Sequence, residues 1–590
     1  MNTRAQDAMR ILILQTTRMG DVIQTTPLIR AVRNRYPDAQ ITVMIRQMGK
    51  AIIERNPDVN DTILYDENAM FLDLRSRDSE RLLRAFQSTE DYIEMLRGRG
   101  FDLAYNCSHS LASAMLLKLA GIPKVVGAHM SDDWHFVIRG GWVTYFFTSV
   151  FHREYNDLNL CDITRRFVVD AAAPTATGCA GTPRRLVFEV SDADRASVQT
   201  LLAEHRIGPD DFVACFQLGA SEQNKQWPPH RFAELARRMH DQYHARIFLV
   251  GVASESVLGE AFQKAAPGLA APLYGKTSVG QLGALLERAA VLVTNDTGTM
   301  HLAAAVGCPV ALVSVGYVHY RETGPYGPGH CAVEWRETRV GAVSRDLDSQ
   351  ERRERIQAAH VLEAVRLAVD KGRTVPAENT AELAGVDILV TRFAPDGCLQ
   401  WYPAVLRPIT EMDVLRIAYR ALWIDHLGAT RGDPKRERSS LEELLRCYAA
   451  PEEDTVETWA DRHSGDFAAF ADLAQKGVRA TERLIVMLEK GESMRKAQEI
   501  VAGLMELDDE MRLFSELHHA ARPLVRIARY ERDNLEGADP RHLAETTLRI
   551  YRDAFARARL MERKVRRLAD VWKALALSGS IGSAADGRRE

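Results

Sequence analysis

A chain of 590 residues is too long for one ordinary hydrophobic core, and roughly two to four domains are expected. Its composition, 46% hydrophobic and 26% charged, is that of a globular protein and excludes a fibrous or wholly disordered chain. A formal net charge of −4 gives no global reason to bind nucleic acid, so no nucleic-acid partner is expected. From residue 10 to about residue 320, short β-rich runs alternate with amphipathic helical stretches, the pattern of parallel sheets covered by helices. Ile11 to Leu14, Ile41 to Ile45, Thr62 to Tyr65 and Leu103 to Asn106 read as strands of a first sheet. After the Pro/Gly-rich segment Pro174 to Pro183 comes a second series. Its strands are Phe212 to Leu218, Arg246 to Val252, Leu273 to Tyr274, Val291 to Thr294 and Val310 to Val315. The pattern predicts an α/β fold of two doubly wound, Rossmann-like domains with a hinge near residues 174–186 and a cleft between them.

Beyond about residue 330 the character changes. Ile356 to Val369 reads as one amphipathic helix, and Val386 to Val405 as a hairpin turning at Asp396-Gly397. From Glu411 to about Leu577 the pattern is helical, broken at Gly432-Asp433-Pro434, Gly491 and Gly537-Ala538-Asp539-Pro540, which predicts a helical bundle. The expected division is therefore 1–182, 183–375, a hairpin-plus-bundle domain over 376–577, and a flexible tail over 578–590. The eight cysteines are scattered without CxxC or zinc-like spacing, so reduced thiols and no metal site are expected. The N-terminal apolar run is too short for a signal peptide, and no stretch approaches the ~18 apolar residues of a spanning helix. A cytoplasmic protein is expected, with any membrane contact peripheral and at the inner face.

Four loops follow predicted strands and carry groups suited to chemistry. In Asn295-Asp296-Thr297-Gly298-Thr299-Met300-His301 an apolar strand gives way to a helix N-terminus, whose free N–H groups and positive dipole end suit a phosphate. Gly298 permits close approach, Thr297 and Thr299 offer hydroxyls, and His301 projects from the first turn; a plain capped crossover is the alternative. In Gln15-Thr16-Thr17-Arg18-Met19-Gly20-Asp21, Asp21 is either a helix cap or a general base at the floor of the cleft. In the loop Gly219 to Pro229, Lys225 and Ser221 can neutralise and bond a diphosphate, or be solvated. After Arg246 to Val252, Glu255 can accept from ribose hydroxyls or merely favour a helix start.

Taken together, these segments resemble the ADP-heptose:lipopolysaccharide heptosyltransferase family, glycosyltransferase family 9. The matching pieces are MGDVIQTTPLIRAVRNRYPDAQITVMI, LGASEQNKQWPPHRFAELA, LVGVASESV, LYGKTSVGQLGALLERA, VTNDTGTMHLAAAVGCPVALV and TGPYGPGH, in one order over residues 10–330. The resemblance implies a two-domain GT-B fold and an inverting displacement that needs no metal or other cofactor. The donor would be a nucleotide sugar, ADP-heptose, and the acceptor a hydroxyl of a lipopolysaccharide-core or related envelope glycolipid. It implies Asp21 as general base and Lys225, Thr297, Gly298 and His301 as diphosphate ligands. Asp296 would order the loop or meet the sugar, and Glu255 would touch the ribose. Two departures stand out: the family's Gly-Pro-Thr after VALVS is here Val315-Gly316-Tyr317-Val318-His319-Tyr320, and about 220 C-terminal residues exceed the family's length. In the family the segment corresponding to 134–155 faces the acceptor, so Arg139, His152 and Arg153 would form a basic and aromatic rim, a partly buried strand and helix being the alternative; Arg18, His152 and Arg153 are expected as acceptor contacts. A protein acceptor, or a scaffold working through the helical region by self-association or partner docking, is the alternative.

Overall fold

The apolar runs form two twisted sheets in the computed structural model, which describes residues 8–66, 72–171, 184–316, 318–336, 353–370, 381–383, 385–428, 433–452, 454–491 and 494–581. The first comprises β1 (Arg10–Gln15), β2 (Gln40–Ile45), β3 (Asp61–Leu64), β4 (Leu103–Asn106), β5 (Val125–Met130) and β6 (Phe136–Arg139), in the order β3-β2-β1-β4-β5-β6. All neighbours are parallel except β6, which pairs antiparallel with β5. Ile11 to Gln15 are buried without alternation, because helices cover both faces of the sheet.

The second sheet holds β7 (Val213–Gln217), β8 (Arg246–Val250), β9 (Ala270–Pro272), β10 (Val291–Thr294), β11 (Val310–Ser314), β12 (Cys331–Trp335), β13 (Val386–Phe393) and β14 (Leu399–Pro403). Their order is β14-β13-β12-β11-β10-β7-β8-β9. In both sheets the chain winds one way and then returns beside its first strand. The reversals fall between β1 and β4 and between β7 and β10. A crevice opens at the carboxyl ends of the strands at such a reversal. The two doubly wound α/β units of the expected fold class are present, followed by a helical region.

Two features differ from the sequence reading. The strand expected at Leu273 to Tyr274 is Ala270–Pro272, because Ile247 to Leu249 pair with those residues. The hairpin turns as expected, with Gly397 at φ +86°. However, it does not open a third domain: β13 is hydrogen-bonded antiparallel to β12, with Cys331 opposite Val390, and completes the second sheet. An unpaired β12 would be an open edge, and the hairpin covers it with largely buried residues. Most of the expected hinge and tail lies outside the described residues.

The helical region begins at Glu411–Leu427 and continues through Pro434–Leu445, Val456–Lys490, Met494–Leu517, Arg522–Asp533 and Pro540–Leu577. The breaks act as the sequence suggests. Asp433 and Asp539 cap helices that start with proline, and Gly491, at φ +64°, ends the long helix before it. Gly477 lies directly under the Tyr551 ring, so the two longest helices approach closely there. Leu568, Val571, Trp572 and Leu575 of the last helix share an apolar cluster with the second sheet, while its earlier residues share one with the first unit. Among the described residues no helix is long and apolar enough to cross a membrane.

Candidate functional site

The loops after β1, β7 and β10 meet at the two reversals. Helix Met19–Arg35 follows β1, and helix Gly298–Ala305 follows β10, and their N-termini abut across the cleft. A Cβ on Gly20 would stand 2.9 Å from the His301 ring and 3.5 Å from the Gly298 Cα, and one on Gly298 would stand 2.9 Å from the Met19 methyl. Only residues without side chains let these helix ends come so close. Two positive dipole ends therefore face one space, an arrangement that favours a bound anion or carboxylates.

Two carboxylates are there. The Asp21 Oδ2 accepts from the Arg18 backbone N–H at 3.1 Å, as a helix cap does. Among the described residues its second oxygen accepts no hydrogen bond. The base of this loop is fixed by Gln15, which donates to Thr25 at 3.0 Å and accepts from the Thr17 hydroxyl at 2.7 Å. Burial, helped by the Asp21 charge, pushes the Asp296 carboxyl up, while Lys225, Arg153 and Arg18 pull it back. Asp21, Lys225, Arg153 and Arg18 thus all lie near Asp296. Burial holds the His301 imidazole down at about 4 against the opposing pull of Asp21, so the ring is neutral near pH 7. Its Nδ1 is buried without a hydrogen-bond partner among the described residues.

The second unit's side of the cleft is fastened by Asn295, to which the sequence pattern assigns no role. Asn295 donates to the carbonyls of Leu218 (2.8 Å) and Gly219 (3.3 Å) and accepts from the Trp227 N–H at 2.9 Å. It thereby fastens the β7 and β10 loops together. Trp227 is fully buried, its Nε1 donating to the Ile356 carbonyl at 2.9 Å, which anchors the loop carrying Ser221 and Lys225. Ser221 is exposed, and the nearest carboxylate to Lys225 Nζ is Glu222 at 3.9 Å. Thr297 starts its helix without capping it by side chain, its hydroxyl 3.2 Å from that of Thr294. Thr299 donates to Gln217 at 3.1 Å, and Gln217 donates to Glu255 at 2.8 Å. Glu255 also accepts from the Val252 N–H at 3.1 Å and lies directly over Gly219 and Gly251. Burial raises its carboxyl, and those two hydrogen bonds oppose the rise.

The expected acceptor residues separate. Arg153 faces the cleft, its Nε 3.4 Å from Glu322, and Arg18 is exposed at its mouth. His152 is 3% exposed, pulled down to about 3 by burial and by Arg526 and Arg522, and does not join the cleft surface. Much of segment 134–155 is covered by the helical region rather than forming an open rim. Trp142 Nε1 donates to the Leu427 carbonyl at 2.8 Å, the Ile138 N–H to Asn534 at 2.7 Å, and Arg139 pairs with Glu536 at 2.6 Å. Tyr145 lies 5.0 Å from Trp423, ring to ring. These aromatic residues suit an apolar interface, and the chain's own helices occupy it. Tyr317, in the departing loop, lies outside the described residues.

Behind the cleft a second polar cluster joins the units. Asp162 accepts from Arg165 (2.9 Å), Tyr326 (3.0 Å) and the Leu399 N–H (2.7 Å). Arg420 donates to Asp396 at 2.9 and 3.0 Å and to the Asp157 carbonyl at 2.7 Å. The TGPYGPGH stretch docks here, through Tyr326 and through the Gly324 carbonyl, which accepts from Asn159 at 3.2 Å. Among the described residues no group of three or more His, Cys, Asp or Glu is placed to hold a metal ion.

Residues 91–339 match the family model described as glycosyltransferase family 9 (heptosyltransferase), a span that contains the 219–228 and 295–301 loops but not Asp21. Lipopolysaccharide heptosyltransferase 2 of Escherichia coli K12 is 27% identical over 320 residues, covering 51% of this chain and 81% of that protein. Lipooligosaccharide heptosyltransferase 2 of Haemophilus influenzae is 26% identical over 319 residues, covering 51% and 82%. A solved glycosyltransferase family 9 structure from Veillonella parvula shares the fold with a TM-score of 0.50 at 19% identity, covering 62% of this chain and 99% of that one. Over residues 91–339 the two α/β units are thus similar to glycosyltransferase family 9, and this likeness supports a glycosyltransferase.

Proposed function

We propose that the chain transfers a heptose from ADP-heptose, with inversion, to a hydroxyl of a lipopolysaccharide-core or related envelope glycolipid. The observation that carries this reading is the convergence of the two helix N-termini, with Asp21 on one and the Lys225 and Thr297 loops beside the other. Asp21, through the oxygen left free by its cap, takes the acceptor's hydroxyl proton. The acceptor oxygen then bonds to the anomeric carbon as the bond from that carbon to the diphosphate oxygen breaks. ADP leaves with the electron pair, and Lys225, the Gly298 and Thr299 N–H groups and Thr297 neutralise it. Neutral His301 donates to the phosphates from the nitrogen facing them, and Asp296 orients the sugar. Glu255, with two of its acceptor positions already used, offers the remainder to the ribose hydroxyls, and Ser221 closes the diphosphate loop. Exposed Arg18 and half-buried Arg153 meet the acceptor.

Nucleotide-dependent thermal stabilisation tests the donor half. ADP at about a hundred times its dissociation constant adds ~2.7 kcal/mol, and UDP and GDP add less. Replacing Lys225 by Ala weakens ADP binding roughly 10- to 100-fold, as expected for one lost charge-assisted contact. Equal or absent responses to the three nucleotides contradict the assignment. Mass spectrometry of products formed from ADP-heptose and envelope or protein fractions separates a glycolipid from a protein acceptor.

A further inference from the structure

Next to the diphosphate loops lies a narrow polar concavity of ≈ 50 Å³. Its walls come from all three parts of the chain. Arg153 and Asn156 belong to the first unit, His319, Glu322 and Glu334 to the second, and Arg416 to helix Glu411–Leu427. A single water needs roughly 10–15 Å³ of such space, so about three or four water-sized groups fit. That is too little for a sugar ring and suits a short chain carrying two hydroxyls.

The charges argue for a neutral occupant. Arg153 stands 3.4 Å from Glu322, Arg321 stands 3.6 Å from Asp157, and Arg416 stands 3.4 Å from Asp157 and also pairs with Asp413. With its cations matched, the site has no surplus positive charge for an anion. It has unused hydrogen-bonding capacity instead. The Nε groups of Arg153 and Arg416 are buried without a hydrogen-bond partner among the described residues, and Arg416 is only 7% exposed. A hydroxyl both donates and accepts, so a glycol can serve guanidinium and carboxylate at once. The loop that leads into His319 packs on the Lys225 loop: a Cβ on Gly316 would stand 2.6 Å from the Asn224 carbonyl oxygen and 3.4 Å from the Lys225 side chain. Burial, with the charges of Arg153, Arg321 and Lys225, holds the His319 imidazole down at about 4, and Arg153 acts in turn on Asp296.

We propose that this concavity receives the exocyclic, hydroxylated arm of the transferred sugar and so selects a seven-carbon over a six-carbon donor. The inference rests on the proposed ADP-sugar transferase function. Arg416 makes the helical region part of donor selection.

The test compares turnover of ADP-heptose with that of an ADP-hexose of the same ring configuration, using the full chain and its His319→Ala and Glu322→Gln variants. ADP affinity is measured alongside. The unmodified chain should prefer the heptosyl donor, and both variants should lower that preference at least tenfold while ADP affinity stays within twofold. No preference in the unmodified chain, an unchanged preference in both variants, or a change confined to acceptor KM overturns the inference. An unmodified chain that neither binds ADP nor turns over either donor refutes the underlying function instead, so the two failures are distinguishable.

Discussion

The cleft and the cluster behind it are built from the same residue types and differ in how fully those residues are bonded. Behind the cleft Arg420 has used its guanidinium on Asp396 and on the carbonyls of Asp157, Leu399 and Cys398. Asp413 accepts from Arg407 at 2.8 Å through each oxygen, and also from Thr410. In the cleft, Lys225 has a carboxylate no nearer than 3.9 Å, one Asp21 oxygen is open, and His301 Nδ1 has no partner among the described residues. Arg420 and Asp413 are fully bonded and hold parts of the chain together, whereas Asp21 and His301 keep hydrogen-bonding capacity at a helix N-terminus. Between these two sets the difference lies in unspent hydrogen-bonding capacity, not in residue type.

Removing function from the cleft without removing structure breaks the comparison most sharply. Asp21→Asn keeps a capping oxygen and loses the base, so turnover should fall roughly 10²- to 10⁴-fold with ADP affinity unchanged. Retained turnover would remove Asp21 from that role. The brace should respond in the opposite sense. Arg420→Met strips Asp396 of its ion pair, leaving it only the Cys398 N–H, and removes a donor from three buried carbonyls, which should cost roughly 3–5 kcal/mol in urea unfolding. A loss under 1 kcal/mol would show that the cluster does not hold the units together.

Acid probes two buried histidines, His301 in the cleft and His330, whose backbone N–H donates to Thr391. Burial holds His301 and His330 at about 4, against 6.5 for an ordinary imidazole. Between these values the unfolded chain binds more protons. Stability is therefore complete above pH 6.5 and declines as pH falls toward 4, by roughly 3 kcal/mol per histidine over the window. His301→Gln should flatten that decline, and equal unfolding midpoints at pH 7 and pH 4.5 would contradict it. The smallest effect is expected at the exposed edge of the helical interface. Arg139→Ala, which removes the pair with Glu536, should cost less than about 1 kcal/mol.

Much of the cleft was legible in the sequence because its groups sit in strand-loop-helix units whose local pattern is self-sufficient. Gly20-Asp21 and Asn295 to Gly298 each follow an unbroken apolar strand, and strand order alone brings them together. The brace was not legible. Asp157, Asp162 and Arg420 are more than 230 residues apart at the extremes, and in sequence Asn156 to Asp162 looks like a run of caps. The hairpin was recognised from Asp396-Gly397, but its place beside β12 depends on a long-range pairing that its own alternation does not encode. Segment 134–155 shows the same limit from the other side. Its aromatic residues mark an interface, and nothing local says that segments 285 to 396 residues later in the chain would cover it.

In the proposed reaction the cleft is one divided site, with the base on the first unit and the leaving diphosphate on the second. The most direct test is product analysis by nuclear magnetic resonance and mass spectrometry after incubating the full chain with ADP-heptose and lipopolysaccharide-core acceptor. One added heptosyl unit with the anomeric configuration inverted is expected, with ADP released in equal amount. Retention of configuration, or ADP release without a glycosylated acceptor, would contradict the proposed reaction.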